Sequence, residues 1–178
     1  MNAATLVIRE FQSVDMDAVV ACMATLQDHE RQFETARLDS NLFAKHYIDN
    51  FLPVLKKDKG QIFVAVLNEE YAGFTSVLLD ELLDPDFNHP IPLAHISDLI
   101  VLPQYRRNGI AKALLAKAEQ FAYSRGAQAV RLYTMAKDPV SCNLYRAQGF
   151  DDYEIIFLKR LVNKKEMAKT IVVEISEF

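Results

Sequence analysis

The chain has 178 residues, 51% of them hydrophobic and 25% charged, with a formal net charge of −4 at pH 7. This is enough to bury one core and too little for two ordinary domains, and it excludes disordered, collagen-like and strongly basic nucleic-acid-coating chains. No apolar run nears the ~18 residues of a membrane span, and Met1 to Glu10 lacks a basic segment followed by an apolar core, so a cytoplasmic protein that uses neither membrane nor nucleic acid is expected.

Thr5 to Glu10 reads as a strand. Asp15 caps a helix whose apolar positions Val19, Val20, Met23 and Leu26 recur at helical spacing, and Asp39 and Ser40 begin a second, carrying Leu42, Phe43, Tyr47, Ile48 and Phe51. Gln61 to Leu67 and Tyr71 to Leu79 are strand-rich and joined by the polar turn Asn68-Glu69-Glu70, which predicts a hairpin. A polar loop, Asp80 to Pro92, leads to the strand Leu93 to Val101. A helix from about Asn108 to Ser124 follows, ended by Gly126 as C-terminal cap. Gln128 to Thr134 is a strand, Val140 to Gln148 a shorter helix ending at Gly149, and Tyr153 to Leu161 a last strand. This order predicts an α/β sandwich on a mixed sheet with helices against both faces. A charged linker, Lys164 to Lys169, and a possible extra strand, Thr170 to Ser176, complete the chain. They form an extension, 162–178, to a domain spanning 1–161, and would pair with a sheet edge or with a second copy in a homodimer.

Cys22 and Cys142 are too few for a disulfide framework and have no metal-ligand spacing, so no metal is expected. A nucleophilic Cys142 would need a paired base that the sequence does not supply.

From Val101 to Leu115 a strand end, an isolated glycine and a helix start follow in direct succession. The first amides of a helix lack intrahelical partners, and the macrodipole adds positive potential there, which suits a phosphate. Gly109 would be the pivot, with Arg106, Arg107 and Lys112 around it. Spacing excludes a P-loop and a dinucleotide loop. On these residues alone, the stretch is either an anion site or an ordinary turn with a solvated basic rim.

Arg106-Arg107-Asn108-Gly109-Ile110-Ala111 resembles the pyrophosphate motif of the GNAT superfamily of N-acetyltransferases, Gln/Arg-x-x-Gly-x-Gly/Ala. Asp98 to Tyr105 resembles that family's central strand and Pro-x-Tyr turn, and Asn143 to Phe150 its second signature, a helix ending in Leu-Tyr-x-x-x-Gly-Phe. The resemblance covers Leu6 to about Leu161 and is most specific from Ile96 to Phe150. It implies a mixed, mostly antiparallel sheet with splayed central strands, and acetyl-CoA as co-substrate for an amine acceptor. It also implies that Arg106, Arg107, Asn108, Gly109, Ile110, Ala111 and Lys112 bind the diphosphate. Backbone groups of Leu99, Ile100 and Val101 would take the pantetheine arm and oxyanion.

The same resemblance makes Tyr145 the general acid, since a phenol stays protonated at neutral pH and can donate to a departing thiolate. Asp98, a carboxylate in an apolar strand, must be paired or functional. It is either a base, directly or through water, or a structural group taking backbone amides or Arg106. His95, by strand alternation on the opposite face, is a rival base or a satisfied core histidine. One position departs from the family. Seven residues before the tyrosine, the family's Asn, which helps bind the cofactor arm, is here Asp138, which also suits a helix cap before Pro139.

Acidic residues in the loop Asp80 to Asp86, with Asp28, Glu30 and Glu34, either form a wall that would favour a cationic small-molecule amine or are a solvated acidic surface. A polyamine, an aminoglycoside-like amine, a protein N-terminus and a lysine all remain open. A non-catalytic acyl-CoA sensor of the same fold would bind without turnover, and a purely structural loop would not bind CoA at all.

Overall fold

Four consecutive residues of one strand, Ile62, Phe63, Val64 and Ala65, are buried. Because successive side chains of a strand point to opposite faces, such a run requires cover on both sides of the sheet. In the computed structural model, which describes residues 4–57, 59–80 and 92–160, helices supply that cover. The elements are β1 (Leu6–Glu10), α1 (Met16–Arg31), α2 (Ser40–Lys57), β2 (Gln61–Leu67), β3 (Glu70–Asp80), β4 (Leu93–Val101), α3 (Ile110–Ser124), β5 (Ala129–Leu132) and α4 (Pro139–Ala147).

The sheet order is β1-β2-β3-β4-β5, antiparallel throughout except for the parallel pair β4 and β5. Against one face, α1 and α2 pack Val19, Met23, Ile48, Phe51 and Leu55 onto Ile62, Val64, Phe74 and Ile100. Against the other, α3 packs Ile110, Leu114, Leu115, Ala118 and Ala122 onto Phe63, Ala65, Val77, Ala94 and Ile96. Tyr145 and Phe150 join that second cluster, so α4 contributes to the same side.

The sheet's irregularities place the site. Ser76 faces Asp98 while Val77 faces Ile96, which leaves Ser97 as an extra residue in β4. A bulge of this kind bends a strand and re-aims its side chains. Ala94 and Ile96 lie in the α3 cluster, but Ile100 lies in the α1 and α2 cluster. The strand therefore exchanges its two faces at Ser97, and Asp98 turns toward α2. By the same exchange His95 shares a face with Asp98, which overturns the simple alternation that set them on opposite faces.

Local expectations were met with exceptions. The hairpin turn is the two residues Asn68 and Glu69, both at positive φ (50° and 71°). Asp15 does not cap α1 with its side chain. Its carboxylate turns back to Arg9, at 2.6 and 2.7 Å, and to Tyr71, which locks β1 to the helix start and lowers the carboxyl below its usual range, chiefly through the Arg9 hydrogen bonds. The expected strand Tyr153 to Leu161 is not formed within the described residues. Residues 151–160 adopt no regular element and are exposed. Arg146 holds Asp152 at 2.9 and 2.7 Å and Arg160 pairs with Glu34, so the segment is tied at one end to α4 and at the other to the connection between α1 and α2. Residues 81–91 of the acidic loop, Leu161 and the 162–178 extension lie outside the described residues.

Candidate active site

The chain leaves β4 through a short 3-10 turn, Pro103–Tyr105, and enters α3 through two left-handed residues, Arg107 (φ 67°) and Gly109 (φ 74°). Asn108 closes the turn by donating Nδ2 to the carbonyl of Tyr105 at 3.1 Å. Arg106 donates Nε to the carbonyl of Val101 at 3.1 Å, so its expected alternative partner, Asp98, is not the one it takes. Ile110, 1% exposed, pins the first turn of α3 into the core, while Arg106, Arg107, Asn108, Gly109 and Lys112 are exposed and Ala111 is half-buried. The leading amides of α3, at Ile110, Ala111 and Lys112, face outward as helix geometry requires. A Cβ added at Gly109 would meet nothing within 4 Å. Backbone, macrodipole and three basic side chains thus surround open space.

β5 pairs with β4 only from Leu93 to Ile96. Beyond the Ser97 bulge the two strands part, so Leu99, Ile100 and Val101 keep their partners on β3 and have no strand partner on the other side among the described residues. Parting strands free alternate backbone groups, which is the feature expected of these three positions.

Asp98 is 7% exposed. It accepts hydrogen bonds from the Ser76 hydroxyl at 2.5 Å and from the Tyr47 hydroxyl at 3.2 Å to both of its oxygens. Burial pushes its carboxyl up to about 6, against the lowering effect of those two hydroxyls. Since the unfolded value is about 3.9, the folded chain holds this proton more tightly. Stability from this group is therefore complete below about pH 4 and is lost as pH rises through about 6. Asp98→Asn is expected to remove a pH-dependent loss of about 3 kcal/mol over that interval, read from urea unfolding midpoints. Parallel profiles for variant and wild type would mean that Asp98 does not titrate there.

Tyr145 is set by the end of its helix. Gly149 (φ 89°) lets Gly149 N–H reach the Arg146 carbonyl and Phe150 N–H reach the Tyr145 carbonyl, both at 3.1 Å. This is a Schellman ending, which brings the residue after the glycine against the residue five earlier. The Tyr145 and Phe150 rings accordingly meet edge to face at 6.0 Å. The motif Leu-Tyr-x-x-x-Gly-Phe is thus a structural device that holds the phenol. Burial pushes that phenol up to about 12, with Asp138 and Glu30 adding to the rise.

Asp138 begins the same helix. Its Oδ1 accepts the amides of Val140 and Ser141, at 3.0 and 3.2 Å, and its Oδ2 accepts the Ser141 hydroxyl at 2.6 Å. Oδ2 also meets His29 Nε2 at 2.8 Å. Cys142 directs Sγ to the Met135 carbonyl at 3.7 Å.

His29 and Tyr47 were not foreseen as site residues. No local signal marks either: Tyr47 fits the apolar stripe of α2, and His29 is 109 residues from its partner. The departure at position 138, where a carboxylate replaces an amide, was the one available hint. Glu30, foreseen only as part of an acidic wall, lies at the electrostatic centre. Burial chiefly raises Tyr47, Asp98 and Tyr145, and the charge of Glu30 adds to each rise. Burial, reinforced by Asp138, raises Glu30 itself, although Arg37 pairs with it at 2.7 Å.

Comparison with known proteins agrees with this geometry. The Acetyltransferase (GNAT) family matches residues 22–150. The uncharacterised N-acetyltransferase YycN of Bacillus subtilis is 33% identical over 125 residues, 69% of this chain and 76% of that protein. The uncharacterised N-acetyltransferase MJ1207 of Methanocaldococcus jannaschii is 26% identical over 103 residues, 58% of this chain, and the chain spans 44% of its length. Among solved structures, the aminoglycoside N-acetyltransferase AAC(6')-Iy in complex with CoA shares the fold, with a TM-score of 0.67 at 19% identity, covering 90% of this chain and 97% of that one. With the family matched across most of its length and the sheet open beside a glycine-pivoted helix start, the chain belongs to the GNAT acetyltransferase family.

Proposed function

We propose that the chain moves an acetyl group from acetyl-CoA to a primary amine by direct attack in a ternary complex. The observation that carries this reading is one juxtaposition: β4 ends in an outward-facing helix start with space above Gly109, and its bulge turns Asp98 toward Tyr47, with the charge of Glu30 reaching both Asp98 and Tyr145. The residues fit the co-substrate. Arg106, Arg107, Lys112 and the amides from Gly109 to Ala111 suit a diphosphate. The freed backbone of Leu99 to Val101 suits an amide-bearing arm, and Asp138 begins the helix that carries Tyr145. Acetyl-CoA, when bound, supplies an activated thioester. The protein's share is to orient the amine, to remove its protons and to protonate the leaving sulfur, with Tyr145 as donor and Asp98 as acceptor through the Tyr47 hydroxyl.

The acceptor is read as a cationic amine. Glu30, Asp98 and Asp138 favour an ammonium over a neutral or anionic group, and the fold neighbour AAC(6')-Iy is itself named for an amine-rich substrate class. Calorimetric titration with acetyl-CoA and with desulfo-CoA tests the co-substrate before any acceptor is chosen. Micromolar binding of both supports the reading, and absence of binding by folded protein overturns it. A thiol-release assay with an aminoglycoside, a polyamine, an N-terminal peptide and a lysine peptide then tests the acceptor. Gly109→Val is expected to weaken acetyl-CoA binding by about tenfold or more, because its side chain would fill the open space and strain the left-handed backbone. Unchanged affinity in a folded variant would remove the diphosphate from this loop.

A further inference from the structure

Acetylation of an alkylammonium forms a C–N bond, breaks a C–S bond, takes two protons from nitrogen and gives one to sulfur. One proton must therefore reach solvent in every turnover. Asp98 suits only one of the two removals, since it is 7% exposed and enclosed by the Tyr47 and Ser76 hydroxyls.

His29 is placed differently. It lies in the last turn of α1 with its side chain 24% exposed, and Phe33 meets its ring edge to face at 5.3 Å. Asp138 fixes the ring. Burial opposes ionisation of Asp138, but hydrogen bonds from Ser141 and His29 keep its carboxyl below the usual range. A carboxylate only accepts, so Nε2 carries a hydrogen, and in the neutral ring Nδ1 is then the nitrogen with the lone pair. Because Asp138 also caps α4, the imidazole is tied to the helix that carries Tyr145. Glu30, paired with Arg37, acts on both His29 and Asp138, while Lys137, next to Asp138 in the chain, acts on Glu34, which pairs with Arg160. Through Glu30 the field extends to Asp98, Tyr47 and Tyr145.

We propose that His29, held by Asp138, takes the first proton from the acceptor ammonium and releases it to solvent, leaving the second to Asp98. The inference rests on the acetyl-transfer reading above. The ammonium gives a proton to Nδ1, the imidazolium faces Asp138 and Glu30, and water removes that proton. The free amine attacks the thioester carbon. Its second proton passes to Asp98 while Tyr145 protonates sulfur, and the proton held by Asp98 then restores the phenol.

The test compares His29→Gln and Asp138→Asn with wild type on the panel amine that turns over fastest, from about pH 6 to about pH 9.5. For His29→Gln, kcat/KM at about pH 7 is expected to fall about 100-fold. The deficit should narrow as pH approaches the amine's own pKa, where the amine arrives unprotonated, and acetyl-CoA affinity by calorimetry should be unchanged. Asp138→Asn keeps a good helix cap and is expected to give a smaller loss with the same pH shape. A loss equal at every pH, or no loss, overturns the proposal while the acetyl-transfer reading stands. A wild-type protein inactive on the whole panel overturns that reading and this one with it. Nitrogen NMR of histidine-labelled wild type is independent of the acceptor: a hydrogen on Nδ1 of His29 instead of Nε2 overturns the assignment.

Discussion

Tyr145→Phe is expected to lower turnover by about 100-fold or more while changing acetyl-CoA affinity by less than about threefold. The two effects separate because the ring and the hydroxyl have different tasks. The ring packs on Phe150 at 6.0 Å and belongs to the α3 cluster, and the helix ending that holds it uses backbone groups alone. Phenylalanine satisfies all of that, so the variant should fold and bind. In the proposed mechanism the hydroxyl supplies the proton for the leaving sulfur. Since burial holds the phenol up at about 12, it remains protonated through any practical assay, and an alkaline fall in rate below about pH 10 belongs to another group. Steady-state thiol release and calorimetry on the same preparations measure both quantities. Unchanged turnover would make Tyr145 a packing residue, and a parallel loss of binding would place its hydroxyl on the co-substrate instead of on the proton path.

What the sequence disclosed follows the range of the interactions involved. Helix periodicity is local, and Val19, Met23 and Ile48 fall in the core where their spacing predicts. The glycine-terminated helices are also local, since Gly126 and Gly149 each take the left-handed turn their position demands. The bulge at Ser97 is not. An extra residue in one strand has meaning only against its partner, so the exchange of faces that turns Asp98 toward Tyr47 required the β3 register. The His29 contact with Asp138 joins the end of α1 to the start of α4, and nothing near either residue announces the other. The placement of the Tyr145 ring was legible because it is built into a helix ending. The carboxylates' surroundings were not, because tertiary packing alone creates them.

Gly73→Ala tests the sheet beneath the site and should have the largest effect on stability. Gly73 lies opposite Val101 in the β3 and β4 ladder, where an added Cβ would stand 2.1 Å from the Ile100 carbonyl oxygen and 3.0 Å from the Val101 Cα. Both are backbone atoms, so no side chain can rotate aside, and the strands themselves must separate. The expected cost is about 3 kcal/mol or more in urea unfolding, in the range of severe overpacking. Gly126→Ala is the natural control. Its φ of 91° is unfavourable, but nothing lies within 4 Å of the new Cβ, so only backbone strain of about 1 kcal/mol applies. A larger loss at Gly126 than at Gly73 would contradict the close approach of these strands. Because Ile100 and Val101 lead directly into the loop that carries Gly109, the Gly73 variant should also lose acetyl-CoA affinity in whatever fraction still folds, whereas the Gly126 variant, at the far end of α3, should keep it.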